Sequence, residues 1–201
     1  MTYAVDTEGA DGNVNQYETI GGNSLSYDGR GNLTVDQHGY QYSYDNENRI
    51  TQIKDSSNAV VVDYTYDALG RRIQKDDGTV TRYYYDGQRV LLETDDSDDD
   101  LRYYVYGNYI DEVLVMHDTG DDKDYFYAHD HLYSVVALFA DDENVPPQDT
   151  VVVERYEYDA YGRVRIMDAS YNSRTASNCG SSCLFTGRTL DTLDGGDLKI
   201  Y

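Results

Sequence analysis

The chain has 201 residues, enough for one core or a modest array of repeats, and its 23 Tyr against 3 Phe and no Trp make tyrosine the dominant large side chain. With 16 basic and 38 acidic residues the net charge is −22, which opposes nucleic-acid phosphates and anionic membrane surfaces and removes both as expected partners. No run approaches the roughly 18 apolar residues of a membrane span, so no membrane insertion is expected, and the opening MTYAVDTEGADG lacks the basic and apolar segments of a secretory signal.

Tyrosine suits a pleated surface that is apolar along the ring and hydrogen-bonded or wet at the hydroxyl, so the composition points to a β protein with thin packing layers. The Tyr and Val runs argue against the disorder that such a charge would otherwise suggest. A solvated acidic surface accounts for the charge. Adaptation to high salt is the sharper version, because salt screens self-repulsion. It predicts a higher melting temperature in molar salt than in dilute buffer, and equal values would count against it.

Residues 1–23 are polar, with only a weak strand signal around Gln16 to Ile20. From Ser24 a pattern begins that recurs to the end of the chain, so residues 24–201 are expected to form one β-repeat domain. Its clearest copy is VVVDYTYDALGRRI, Val60 to Ile73. Val60, Val62, Tyr64 and Tyr66 fall on one face of a strand and Val61, Asp63, Thr65 and Asp67 on the other. Asp67 to Gly70 reads as the turn, with Asp accepting a backbone N–H and Gly70 supplying a positive φ. The same Tyr-Asp with Gly or Asn three residues after the Asp appears as Tyr27, Asp28, Gly31, as Tyr44, Asp45, Asn48, as Tyr66, Asp67, Gly70, and as Tyr158, Asp159, Gly162. Asn is the non-glycine residue that best tolerates the left-handed region, so Asn48 fits the rule. Arg49, Arg71 and Arg163 follow directly in three copies; Asn32 stands there in the first.

Degenerate copies lie between. Tyr85-Asp86-Gly87 keeps the dipeptide with a shorter turn, while Tyr106-Gly107-Asn108 and Tyr127-Ala128-His129 keep the aromatic and lose the Asp. The interval of about twenty residues suits two short strands and two turns. Asp77-Gly78 and Asp55 to Asn58 read as return turns, and the acidic stretches 95–100 and 118–124 as hairpin tips. Ser134 to Ala140 reads as a strand. The longer gap from Tyr127 to Tyr158 implies an acidic loop insertion near 141–150, where Pro146 and Pro147 exclude a central ladder. The expected fold is therefore all-β, an array of antiparallel hairpins forming a curved sheet.

The array of YD dipeptides with xxGR turns resembles the YD or RHS repeat family, which includes the shells of bacterial Rhs and toxin-complex proteins and the teneurin shell. YAHDHLYSVVAL, VVERYEYDAYGRVRI and LFTGRTLD resemble three blocks of the Rhs repeat-associated core. The resemblance covers about residues 24 to 201. It implies a segment of a hollow β-shell, non-enzymatic by itself, that encloses or presents a C-terminal toxin-like effector, with an extracellular or cell-surface location. Its expected partners are the remaining repeats of a longer parent chain, or other copies joined edge to edge. A self-associating or adhesive surface module, with carbohydrate as one ligand for its Tyr surface, is the second reading. The family's core continues past LFTGR to an Asp-Pro cleavage motif. This sequence has no Asp-Pro, so it is expected to be truncated before the core's C-terminal end and not to cut itself. Tyr133 also stands where the HDHLGS block has Gly.

No cofactor is expected. His129 and His131 share a strand face and could ligate a metal, but a structural turn block explains them and the resemblance favours it. The acidic tips lack the spacing of an EF-hand. Cys179 and Cys183, in CGSSC, lack the second pair of a zinc site and leave either free thiols or one small-loop disulfide. Asn32-Leu33-Thr34 is a formal glycosylation sequon that the family's GNLT turn explains without a glycan.

Overall fold

The computed structural model describes residues 3–5, 16–142 and 149–201, with residues 3–5, 142 and 149 as backbone only. The chain divides into two compact units, residues 1–80 and 81–201. In the first, β1 (Tyr3–Val5), β2 (Tyr17–Ile20) and β3 (Asn23–Ser24) form a small antiparallel sheet, so the weak strand signal near Gln16 belongs to a separate sheet. Fifteen further strands follow one another in strict chain order as one open antiparallel sheet. They are β4 (Ser26–Tyr27), β5 (Leu33–Val35), β6 (Gln41–Tyr44), β7 (Ile50–Lys54), β8 (Val60–Tyr66), β9 (Arg72–Asp76), β10 (Val80–Asp86), β11 (Arg89–Thr94), β12 (Asp100–Tyr106), β13 (Val113–Asp118), β14 (Lys123–His129), β15 (Val135–Asp142), β16 (Asp149–Tyr158), β17 (Val164–Asp168) and β18 (Ser173–Arg174). A last hairpin pairs β19 (Asp191–Leu193) with β20 (Leu198–Ile200).

The strands form where alternation puts one apolar face inward. In β8, Val62 and Tyr64 are buried while Asp63 and Thr65 are exposed; Val60, at the strand's start, is also exposed. Among the described residues of the first unit, the buried apolar side chains are Tyr40, Ile53, Val62 and Tyr64. The second unit has a fuller core. Tyr104, Met116, Tyr125, Tyr127, Leu138 and Tyr156 of the sheet pack against Cys179, Cys183, Leu184 and Leu190 of the segment that follows β18. In this unit the segment after β18 covers the tyrosine-bearing face. β15 and β16 pair out to Asp142 and Asp149, across the stretch where an acidic insertion near 141–150 is expected. The rest of that stretch lies outside the described residues.

The aspartate turn as candidate functional site

Nine turns share one hydrogen-bond pattern, at Asp28, Asp36, Asp45, Asp55, Asp67, Asp95, Asp130, Asp159 and Asp168. In each, the Asp N–H donates to the carbonyl four residues on, and the N–H three residues on donates back to the Asp carbonyl. The carboxylate Oδ1 then accepts the N–H groups at +2 and +4, as in Asp67 with Leu69 and Arg71, both at 2.9 Å. The same pair recurs at Asp36 from His38 and Tyr40 and at Asp168 from Ser170 and Asn172. A single side chain thus satisfies backbone donors that a five-residue loop would otherwise leave bare.

The residue at +3 has a positive φ every time: Gly31, Gly39, Asn48, Asn58, Gly70, Asp98, Tyr133, Gly162 and Tyr171. In four of these turns the side chain at +4 supplies a second clamp. Arg49 Nε and Arg71 Nε donate to the other carboxylate oxygen of Asp45 and Asp67 at 2.6 and 2.7 Å, and the Asn32 and Asn172 amides do the same to Asp28 and Asp168. This is the chemical reason for Arg or Asn after the turn. Asn32 Nδ2 also donates to Asn48 Oδ1 at 2.8 Å, so the sequon's amide is already engaged within the fold.

Five of the nine turns do not carry Tyr-Asp and escape the sequence pattern. Asp36, Asp55, Asp95 and Asp168 close the opposite ends of hairpins. At Asp130 the aromatic position holds His129, so the copy around Tyr127 has kept its Asp one register step later than the dipeptide suggests. Asp with Gly, Asn or Asp at +3, without regard to what precedes the Asp, is a signal that finds seven of the nine; Tyr133 and Tyr171 escape it. Tyr85-Asp86 differs, because Asp86 pairs directly with Arg89 across a two-residue turn.

The tyrosines before the turns reach back to the preceding hairpin. Strand register slips at this position in six hairpins, at Tyr27, Tyr44, Tyr66, Tyr85, Tyr106 and His129. Such a bulge re-aims a side chain. Tyr44 Oη donates to the Leu33 carbonyl, Tyr66 Oη to Ile50 and Tyr158 Oη to Val135, at 2.7–2.8 Å. Each acceptor is the residue paired with the previous copy's aromatic: Leu33 with Tyr27, Ile50 with Tyr44, Val135 with His129. Arg49 further lies over the Tyr66 ring at 4.7 Å. Hydroxyl, ring and clamp link one hairpin to the next.

Seven turn carboxyls, those of Asp28, Asp45, Asp55, Asp67, Asp130, Asp159 and Asp168, are held below the ordinary aspartate value. The Asn32 and Asn172 amides lead at Asp28 and Asp168, backbone N–H of Arg49 and Arg163 at Asp45 and Asp159, and the Ser57 hydroxyl at Asp55. At Asp67 and Asp130, partial desolvation pushes upward but is outweighed by donors from Arg71 and from Ser134 and Leu132. A folded pKa below the unfolded one gives stability that is present above the unfolded value, near 3.9, and lost as pH falls through the folded values. We therefore expect a melting temperature that drops below about pH 4, all seven turns acting in the same direction. Measurement in high salt removes the opposing relief of self-repulsion, and an unchanged melting temperature down to about pH 2 would count against the turns as a titrating unit.

The other constellations are accounted for by local structure. In the 95–100 tip, Asp96 and Asp98 pair with Arg82 at 2.9 and 2.6 Å. In the 118–124 tip, Asp118 accepts the Gly120 and Asp121 N–H groups and the Arg102 guanidinium, and Asp124 meets His117 at 2.8 Å. Among the described residues no three His, Cys, Asp or Glu side chains gather as a metal site.

Cys179 and Cys183 are free, buried thiols. They face different neighbours, Cys179 the side of Glu154 and Arg174, Cys183 the Gly187 carbonyl at 3.3 Å. Burial pushes both thiols up to about 12. The thiolate is the reactive form, so a disulfide reagent is expected to count two thiols only after denaturation. Rapid labelling of the native protein would contradict the burial.

An open sheet built from recurring hairpins, several latched to the one before, defines a structural β-repeat protein. The chain belongs to the teneurin YD-shell family, whose profile matches residues 12–176. It is 33% identical over 161 residues to the tRNA3(Ser)-specific nuclease WapA of Bacillus spizizenii and likewise to the tRNA nuclease WapA of Bacillus subtilis. The match takes in 78% of this chain and 6% of each relative, so the chain spans a small part of their length. Among solved structures, a Tc holotoxin pore of Photorhabdus luminescens aligns with 75% of this chain and 9% of its own, at 17% identity and a TM-score of 0.40. Among the described residues, no helix is long and apolar enough to cross a membrane.

Proposed function

We propose that this chain is a wall segment of an Rhs-type β-shell that encloses or presents a C-terminal toxin-like domain outside the chain, and that it is not itself an enzyme. The supporting observation is the hairpin-to-hairpin latch. Tyr44, Tyr66 and Tyr158 each bond the preceding hairpin, an arrangement that extends a sheet rather than builds a reaction centre. In this reading Tyr27, Tyr44, Tyr66, Tyr85 and Tyr158 join successive hairpins. Asp28, Asp45, Asp67, Asp86 and Asp159 close the turns, with Gly31, Asn48, Gly70 and Gly162 in the left-handed position. The sheet's end strands would pair with further repeats, since unpaired edges recruit strands. The nuclease names of the relatives fit a cargo activity carried elsewhere in those long proteins, and an extracellular or cell-surface setting follows from the same resemblance.

The reading is tested on the longest polypeptide that the surrounding reading frame encodes. Protease is expected to cut its C-terminal domain slowly when joined to the repeats and quickly when expressed alone. Equal rates would overturn enclosure. Incubation of the present chain with bulk tRNA is expected to leave the RNA intact, and cleavage that co-elutes with the chain would overturn its non-enzymatic role.

A further inference from the structure

The turn at Asp130 carries a feature that the shell reading does not use. Its +3 residue is Tyr133, at φ +62, although a bulky side chain in the left-handed region costs about 1–2 kcal/mol. Such strain persists where neighbouring structure fixes it, and it points toward a role. The Tyr133 ring stacks on Tyr109, with centroids 4.5 Å apart and planes 14° from parallel. Tyr109 is 49% exposed and lies between β12 and β13, in a connection whose Asn108 and Ile110 are exposed too. On its other side Tyr133 meets the His129 ring at 6.4 Å, and His129 stacks on Tyr127 at 6.0 Å. His129 Nε2 is buried without a hydrogen-bond partner. Desolvation among these rings, opposed by Glu112 and Asp130, lowers the imidazole's pKa and favours its neutral, proton-accepting form.

We propose that Tyr109 and Tyr133 are an oxidative coupling site, at which a one-electron oxidant joins the two phenol rings into an intramolecular dityrosine cross-link. Each phenol gives one electron to the oxidant and one proton to solvent. The two phenoxyl radicals form a carbon–carbon bond between ring positions ortho to the hydroxyls. The ring hydrogens at those positions then move to the oxygens, restoring both phenols. Two tyrosines thus become one dityrosine, two protons and two electrons, with two equivalents of oxidant reduced. Stacking holds the two rings in contact before any radical forms, so coupling requires reorientation of the rings within the exposed connection and no diffusive encounter. The product would staple the β12–β13 connection to the Asp130 turn covalently. None of this depends on the shell reading.

The test is brief illumination of the full chain with ruthenium tris-bipyridyl and persulfate at low protein concentration. Dityrosine fluorescence is expected in the monomer band, and a cross-linked peptide lighter by two hydrogens should map to Tyr109 and Tyr133. Both signals should be lost in Tyr109→Phe, which keeps the stacked ring but not the phenol. They should also be lost in Tyr133→Gly, whose backbone suits this turn; an unchanged circular dichroism spectrum separates that loss from unfolding. Monomer fluorescence that persists in both tyrosine variants, or cross-links that map to other pairs or only between chains, would overturn the proposal.

Discussion

Replacing Glu154 with Ala is expected to destabilise the second unit by about 3–5 kcal/mol, the range for breaking a buried charged pair. Glu154 is fully buried. Its Oε1 accepts Arg174 Nη1 at 2.9 Å and the Asn178 N–H at 2.6 Å, and its Oε2 accepts the Tyr156 and Ser177 hydroxyls at 2.5 and 2.7 Å. Two of those donors, Ser177 and Asn178, lie in the segment that covers the sheet, and Arg174 ends the strand before it, so one β16 side chain anchors the cover carrying Cys179, Leu184 and Leu190. Alanine leaves four donors without their shared acceptor. Glu154→Gln should cost less, about 1–3 kcal/mol, because the amide keeps the shape but cannot accept all four donors. Glu157→Ala is the control: its pair with Arg165 is exposed on both sides, and such pairs contribute about 0–1 kcal/mol. Urea melts of the three variants read the ordering. A Glu154→Ala midpoint no lower than that of Glu157→Ala would remove the clamp from the account.

Gly187→Ala should be nearly as damaging, at about 2–5 kcal/mol, from left-handed strain together with overpacking. Gly187 sits at φ +71 in the LFTGR block, and a Cβ there would lie 2.4 Å from Asp111 Cβ and 2.7 Å from the Asp111 carbonyl oxygen. Backbone cannot yield as a flexible side-chain tip can. The block is fixed on its other side by the Val135 N–H donating to the Leu184 carbonyl and the Thr186 N–H to Ser134 Oγ. Gly195 separates the two contributions, since at φ +65 nothing lies within 4 Å of its added Cβ. Gly195→Ala should therefore carry only the backbone strain, about 1–2 kcal/mol. Equal losses at the two positions would show that the close approach to Asp111 contributes nothing.

Much of the architecture was legible because β-repeats depend on local chemistry. Period-two runs such as VVVDYTY mark strands, and the Asp and the residue three beyond it form a loop whose donors and acceptors lie within five residues. Four turns were visible through their Tyr-Asp prefix. The turns at Asp55 and Asp95 were legible as a return turn and an acidic tip, whereas three were hidden because Asp36 and Asp168 follow no tyrosine and Asp130 follows His129. Tyr133 and Tyr171 also broke the expectation of Gly or Asn at +3. Both find support across space: Tyr133 stacks on Tyr109, and Arg155 lies over the Tyr171 ring at 4.5 Å.

The sequence by itself determined the class of fold, the hairpin interval and the turn chemistry, because each rests on residues within a few positions of one another. Only the tertiary structure decided where the tyrosine hydroxyls go, since Tyr66 and Ile50 lie sixteen residues apart and meet through strand register. It alone revealed that the segment after β18 folds back over the sheet, because Glu154 and its donors Arg174, Ser177 and Asn178 are separated by twenty or more residues. It also fixed the state of CGSSC. Spacing allowed a bridge, but burial against Tyr104, Tyr125 and Tyr127 turned the two sulfurs toward different neighbours and left each a thiol.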